Sequence, residues 1–188
     1  MDERKGAFAN LNLKDKFDFD LPISGGFRFE GTPNQSRSEL DLYKTFDGRM
    51  GSVTPSMGYT TEETKYRDGM ADVRNKARTV RLGLDGSTTL GPVDLSGNVM
   101  GSRTRQRQDV SFPNGPSFRN SNVGTFTRLG MAAKYGAFDV GIRREKSTGM
   151  EPVYSGNVGM NFGNGGRFEI SDTNKGDPTY RVNYRMDF

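Results

Sequence analysis

The chain has 188 residues, with 27 Lys and Arg against 23 Asp and Glu, and it contains neither His nor Cys. Those two absences exclude a zinc finger, a thiol nucleophile, haem ligation by these residues and a Ser-His-Asp triad. The mild positive charge is dispersed over arginines that alternate with Asp and Glu, which argues against nucleic acid as a partner.

Hydrophobic residues make up 32% and charged residues 27%, too lean for a globule with a thick core. Such numbers fit either disorder or a sheet wetted on one face. The ordered alternation described below selects the sheet. Gly reaches 25 without a collagen period, which suggests many turns and bulges. No run of about 18 apolar residues predicts a membrane helix, a test blind to barrels, whose strands alternate. Met1-Asp2-Glu3-Arg4-Lys5 has no apolar stretch of the signal-peptide kind, so a mature form or an unusual export route is expected.

Residues 1–7 read as a frayed end of a single β domain spanning 1–188. Ala9, Leu11 and Leu13, then Phe17, Phe19 and Leu21, alternate with polar residues and predict a hairpin. Phe27 to Glu30 resumes the pattern, 31–38 reads as a loop, and Leu40 to Tyr43 as a short strand. Asp47-Gly48 is a turn signal, with a return strand to Tyr59. Residues 60–78 carry a charged run without an apolar stripe. They read as a long loop or, from the capping-box spacing of Thr60 and Glu63, a short exposed helix.

From residue 78 the rhythm is regular. Val80, Leu82 and Leu84 alternate with Arg81 and Gly83, and Asp85-Gly86 opens a turn running to Gly91-Pro92. Val93 to Gly101 alternates again, followed by a polar loop over 102–122. Strands then cover Val123 to Tyr135, Phe138 to Arg143, Tyr154 to Phe162, Arg167 to Ser171 and Tyr180 to Phe188. Short turns at 85–92, 136–137 and 163–166 alternate with longer loops at 102–122, 144–151 and 172–178. The expected fold is all-β, an antiparallel up-and-down meander closing into a barrel of about 10–12 strands.

One face of these strands is apolar. The other carries Arg81, Asp94, Arg128, Asp139, Arg143, Arg167, Glu169, Arg181, Arg185 and Asp187, both signs together, which suggests ion pairs on a polar or lumen face. Alternation does not say which face points inward. Gly, Ala and Thr at many apolar-face positions would pack a soluble core thinly, which tilts the reading to an outward apolar face. Arg103, Arg105 and Arg107 alternate and form a candidate anion-binding loop.

The final strand sets Tyr180, Val182, Tyr184, Met186 and Phe188 against Arg181, Asn183, Arg185 and Asp187. It resembles the C-terminal signal strand of bacterial outer-membrane β-barrel proteins, which their assembly machinery reads. The hairpin rhythm from about residue 78 to 188 is similar too. The chain departs from that family in lacking Trp and in having Tyr too sparse for two aromatic girdles. The resemblance implies an outer-membrane location, with membrane lipid and assembly machinery as partners. More weakly, glycine-rich hairpins ending in Tyr180-Arg181, Tyr184-Arg185 and Phe188 look like segments of virion proteins from short-tailed marine phages.

No Walker A run is present, and Gly163, Gly165 and Gly166 sit between strands as a hairpin turn rather than a dinucleotide loop. No catalytic, cofactor or metal constellation emerges. The expectation is a non-catalytic outer-membrane-type barrel, structural or weakly pore-forming, in one version phage-encoded and delivered from the virion for genome passage through the envelope. The alternative is a soluble β-rich virion or surface protein that binds other virion subunits.

Overall fold

The computed structural model describes residues 5–9, 23–162 and 166–184, with side chains from 23 to 162 and 166 to 180. The strands in chain order are β1 (Lys5–Ala9), β2 (Ser24–Gly31), β3 (Gln35–Tyr43), β4 (Phe46–Gly48), β5 (Gly51–Asp68) and β6 (Ala71–Leu90). They continue with β7 (Val93–Ser111), β8 (Phe118–Tyr135), β9 (Phe138–Ser147), β10 (Val153–Phe162), β11 (Gly166–Thr173) and β12 (Thr179–Tyr184). Among the described residues there is no helix.

All twelve strands belong to one sheet, ordered β1-β2-β3-β5-β6-β7-β8-β9-β10-β11-β12, with the three-residue β4 paired to β5. The fold is therefore an all-β antiparallel meander. No pairing of β1 with β12 is present among the described residues.

Several local expectations are corrected. Residues 60–78 are neither loop nor helix: they form the end of β5 and the start of β6, reversing at Gly69-Met70, where Gly69 has φ +59°. Hydrogen bonding to neighbouring strands extends the chain there, and periodicity in hydropathy is not needed. Asp85-Gly86 lies inside β6, and the reversal comes at Gly91-Pro92. The 102–122 segment is mostly strand, so Arg103, Arg105 and Arg107 sit on β7 rather than in a loop. β3 begins at Gln35, inside the expected 31–38 loop, and β9 runs on to Ser147. Residues 5–7 of the expected frayed end lie in β1, which pairs with β2. The expected strand over Phe17 to Leu21 lies outside the described residues.

Contacts gather into two compact units, residues 1–44, 55–82 and 102–125 in the first and 45–54, 83–101 and 126–188 in the second. Both show the same inverted burial. In the first unit Met57, Tyr59, Val80 and Leu82 are exposed, while Gly58 and Thr60 are buried and Thr79 and Arg81 half-buried. In the second Leu129, Met131, Val140, Ile142 and Val158 are exposed, while Gly130 and Gly159 are buried and Asp139, Arg167 and Glu169 half-buried. Among the described residues 31 large apolar or aromatic side chains are exposed, against two buried apolar ones, Ala71 and Val73. Water-soluble domains bury such residues, whereas here the apolar face is the more exposed one.

Candidate functional site

The register of the second unit arranges the apolar face in rows. Tyr135, Phe138, Met160 and Phe168 are successive cross-strand partners at the short-turn end. Ala133, Val140, Val158, Ile170 and Tyr180 form the next row, and Met131, Ile142 and Gly156 the one after. The fourth row is Leu129, Arg144 and Tyr154, with the Arg144 guanidinium 5.9 Å from the centre of the Tyr154 ring. Rows on one face are two residues apart, about 7 Å. The result is an apolar band with an aromatic row at one margin and a cation on tyrosine at the other. A count of Tyr alone missed the first margin, because Phe and Met complete it and only the register lines them up.

The opposite face is held by ion pairs. Arg167 on β11 donates to both oxygens of Asp139 on β9, at 2.7 and 2.9 Å, and its Nε donates to Glu169 at 3.1 Å. The guanidinium crosses the intervening strand β10 over Gly159, which is the register partner of Asp139. A Cβ on Gly159 would lie 2.5 Å from Arg167 Nη2 and 2.7 Å from Asp139 Oδ1. The first unit repeats the device. Arg81 Nη2 on β6 donates to Glu39 at 2.6 Å and to Asp41 at 3.0 Å, both on β3. It crosses β5 over Gly58, the register partner of Asp41, where a Cβ would lie 2.6 Å from Asp41 Oδ1. Glycine at those two places is a matter of clearance for a guanidinium–carboxylate pair that spans three strands.

Of the other polar-face residues, Arg128 donates to Glu145 at 2.7 Å, and Arg143 lies 4.0 Å from the same carboxylate. Asp94 accepts from the Thr89 hydroxyl at 2.8 Å. The Arg181 side chain, Arg185 and Asp187 lie outside the described residues. So do Met186, Phe188 and the side chains of Val182 and Tyr184, although the backbone of β12 pairs Tyr180 with Ile170, Val182 with Phe168 and Tyr184 with Gly166. The sequence reading missed Glu39, Asp41 and Glu145 as partners. Glu39 and Asp41 lie about 40 residues from Arg81, two strands away across β5, and Glu145 fell in the segment read as the 144–151 loop although it is the register partner of Arg128.

A separate cluster stands in the first unit, on β5 and β6 four residues past Tyr59 and four before Val80. Glu63 accepts from Arg74 at 2.8 Å and lies 3.3 Å from both Lys65 and Lys76. The Arg74 hydrogen bond, helped by Lys76 and Lys65, holds the Glu63 carboxyl down to about 2. Asp109 accepts from Arg119 and Arg107, each at 2.9 Å, and those bonds hold its carboxyl below its usual value. Among the described residues no group of acidic side chains is placed to hold a metal ion. Comparisons with protein families, with curated proteins and with solved structures find no match to this chain.

Proposed function

We propose that the chain is a non-catalytic membrane β-barrel of the outer-membrane type, structural or weakly pore-forming. In this reading the sheet closes, the apolar band meets hydrocarbon, and the face carrying the Arg167–Asp139 and Arg81–Asp41 pairs lines a narrow lumen. The observation that carries it is the inverted burial: Leu82, Met131 and Ile142 are 59%, 60% and 62% exposed, while their charged neighbours pair on the other face. Backbone paired throughout a sheet is what a bilayer tolerates, and apolar-out, polar-in alternation is what its barrels show. Strands of 18 to 20 residues, β5 to β8, exceed the roughly 9–11 needed to cross, which leaves their charged halves to project into water. A phage-encoded form delivered from the virion for genome passage is one version of this function, and outer-membrane lipid and barrel-assembly machinery are its partners.

The second reading, a soluble β-rich virion or surface protein, draws support from the sheet edges. The antiparallel path holds eleven strands, so β1 and β12 run in the same direction. Closing them would need a parallel pair, whereas an open edge could add a strand from a neighbouring virion subunit. Refolding with and without detergent micelles separates the two. The membrane reading expects β-type circular dichroism only with detergent, together with a heat-dependent shift on an unheated gel. A cooperatively folding species in plain buffer would give the soluble reading instead.

A further inference from the structure

The outward face changes character along single strands of the first unit. On β6 the residues of one face run Asp72, Arg74, Lys76, Arg78 and then Val80 and Leu82. On β7 the corresponding face leads into Arg103, Arg105 and Arg107. The hydroxyls of Thr79 and Thr104 meet at 2.9 Å on the other face, so these two places on β6 and β7 are side by side. Arg78 therefore neighbours Arg103 and Arg105, and all three are exposed at the margin of the apolar band.

Cations farther out are compensated. Arg74, Lys65 and Lys76 share Glu63, Arg67 lies 3.3 Å from Asp72, and Arg107 and Arg119 share Asp109. Arg78, Arg103 and Arg105 make no ion pair with a described residue. Three adjacent guanidinium forks thus stand uncompensated where the greasy face ends. Their chemistry suits a phosphate, which accepts paired N–H donors.

We propose that Arg78, Arg103 and Arg105 form a site for the phosphate of an anionic lipid headgroup at the edge of the apolar band. Val80 lies two residues, about 7 Å, from Arg78 along the strand. A lipid whose chains lie on Val80 and Leu82 presents its phosphate at that height. A free anion would gain nothing from the band, and a nucleic acid would meet the ion-paired cluster beyond it. The site rests on the membrane reading given above.

The test uses the full chain folded into phosphatidylcholine vesicles, with spin-labelled phosphatidic acid or spin-labelled phosphatidylcholine as the probe. The labelled phosphatidic acid should associate about three- to tenfold more strongly, and high salt should erase the preference. Arg103→Gln with Arg105→Gln should abolish it, while Arg49→Gln with Lys134→Gln, which removes the same charge elsewhere, should keep it. Equal association of the two probes, or equal loss in both variants, would overturn the site. Circular dichroism and the unheated-gel shift are read on the same samples. A chain that does not fold into the vesicles sinks the membrane reading along with the site. A folded chain without lipid preference sinks the site alone.

Discussion

Arg167 binds Asp139 across an intervening strand, and it passes because residue 159 has no side chain. Arg81 reaches Asp41 over Gly58 in the same way. A glycine opposite an aspartate on a polar face, with an arginine on the next strand, is a three-strand clamp.

Gly159→Ala should therefore cost about 1–3 kcal/mol, because its methyl displaces the guanidinium from the carboxylate. Gly101→Ala meets nothing within 4 Å and should change stability by less than about 0.5 kcal/mol. Denaturant midpoints in micelles measure both. Equal values for the two variants would remove the clearance argument.

The clamps also bear on conduction. If the polar face lines a lumen, Arg81 and Arg167 lie along its wall and narrow it with their own side chains. The wild-type chain should show little conductance in planar bilayers. Arg81→Ser with Arg167→Ser should raise it by clearing two bridges, while also lowering stability, since half-buried carboxylates are left unpaired. A large open level in the wild type would contradict the plugged lumen.

Acid should loosen the charged tip. The folded value of Glu63 is about 2 against an ordinary 4.5, so the stability it contributes is present above 4.5 and is lost as pH falls toward 2. Thermal midpoints between those two pH values should fall for the wild type. Glu63→Gln should make that part of the profile shallower, because the Glu63 contribution is gone while that of Asp109 remains. An unchanged slope would mean that Arg74 does not hold Glu63 in solution.

A charge on the apolar face separates lipid from water most simply. Val140 is in the middle of the apolar band and 46% exposed. In a bilayer Val140→Arg should cost about 2–4 kcal/mol. On a surface facing water the same change should stay within about 0.5 kcal/mol. Stability measured after reconstitution, against the wild type, reads the difference directly.

The sequence was most legible where two faces differ in polarity. Val140 and Ile142 against Asp139 and Gly141, or Val158 and Met160 against Gly159 and Asn161, announce a strand and its register face. Legibility failed where both faces are polar, as in Glu62 to Lys76. There the strand is set by hydrogen bonds to its neighbours and by the cross-strand pairing of Glu63 with Arg74, which hydropathy does not register. Asp85-Gly86 misled for a related reason: turn-forming residues tolerate a strand when the partners on both sides hold it. The clamps were half visible. Asp139, Arg167 and Arg81 stood out as polar-face charges, but Gly58 and Gly159 gain their meaning only from the order of strands.

The central claim is that the apolar face is the one that meets a non-aqueous phase. Spin labels on single cysteines test it most directly, since the chain has no native cysteine to block. Labels at Ile142 and Val158 sit on the apolar face, and labels at Ser155 and Ser171 on the ion-paired face. After reconstitution into vesicles, the account predicts high collision rates with oxygen and low rates with a water-soluble nickel chelate at Ile142 and Val158, and no such preference at the two serines. Strong nickel collisions at Ile142 and Val158 would place that face in water and contradict the account.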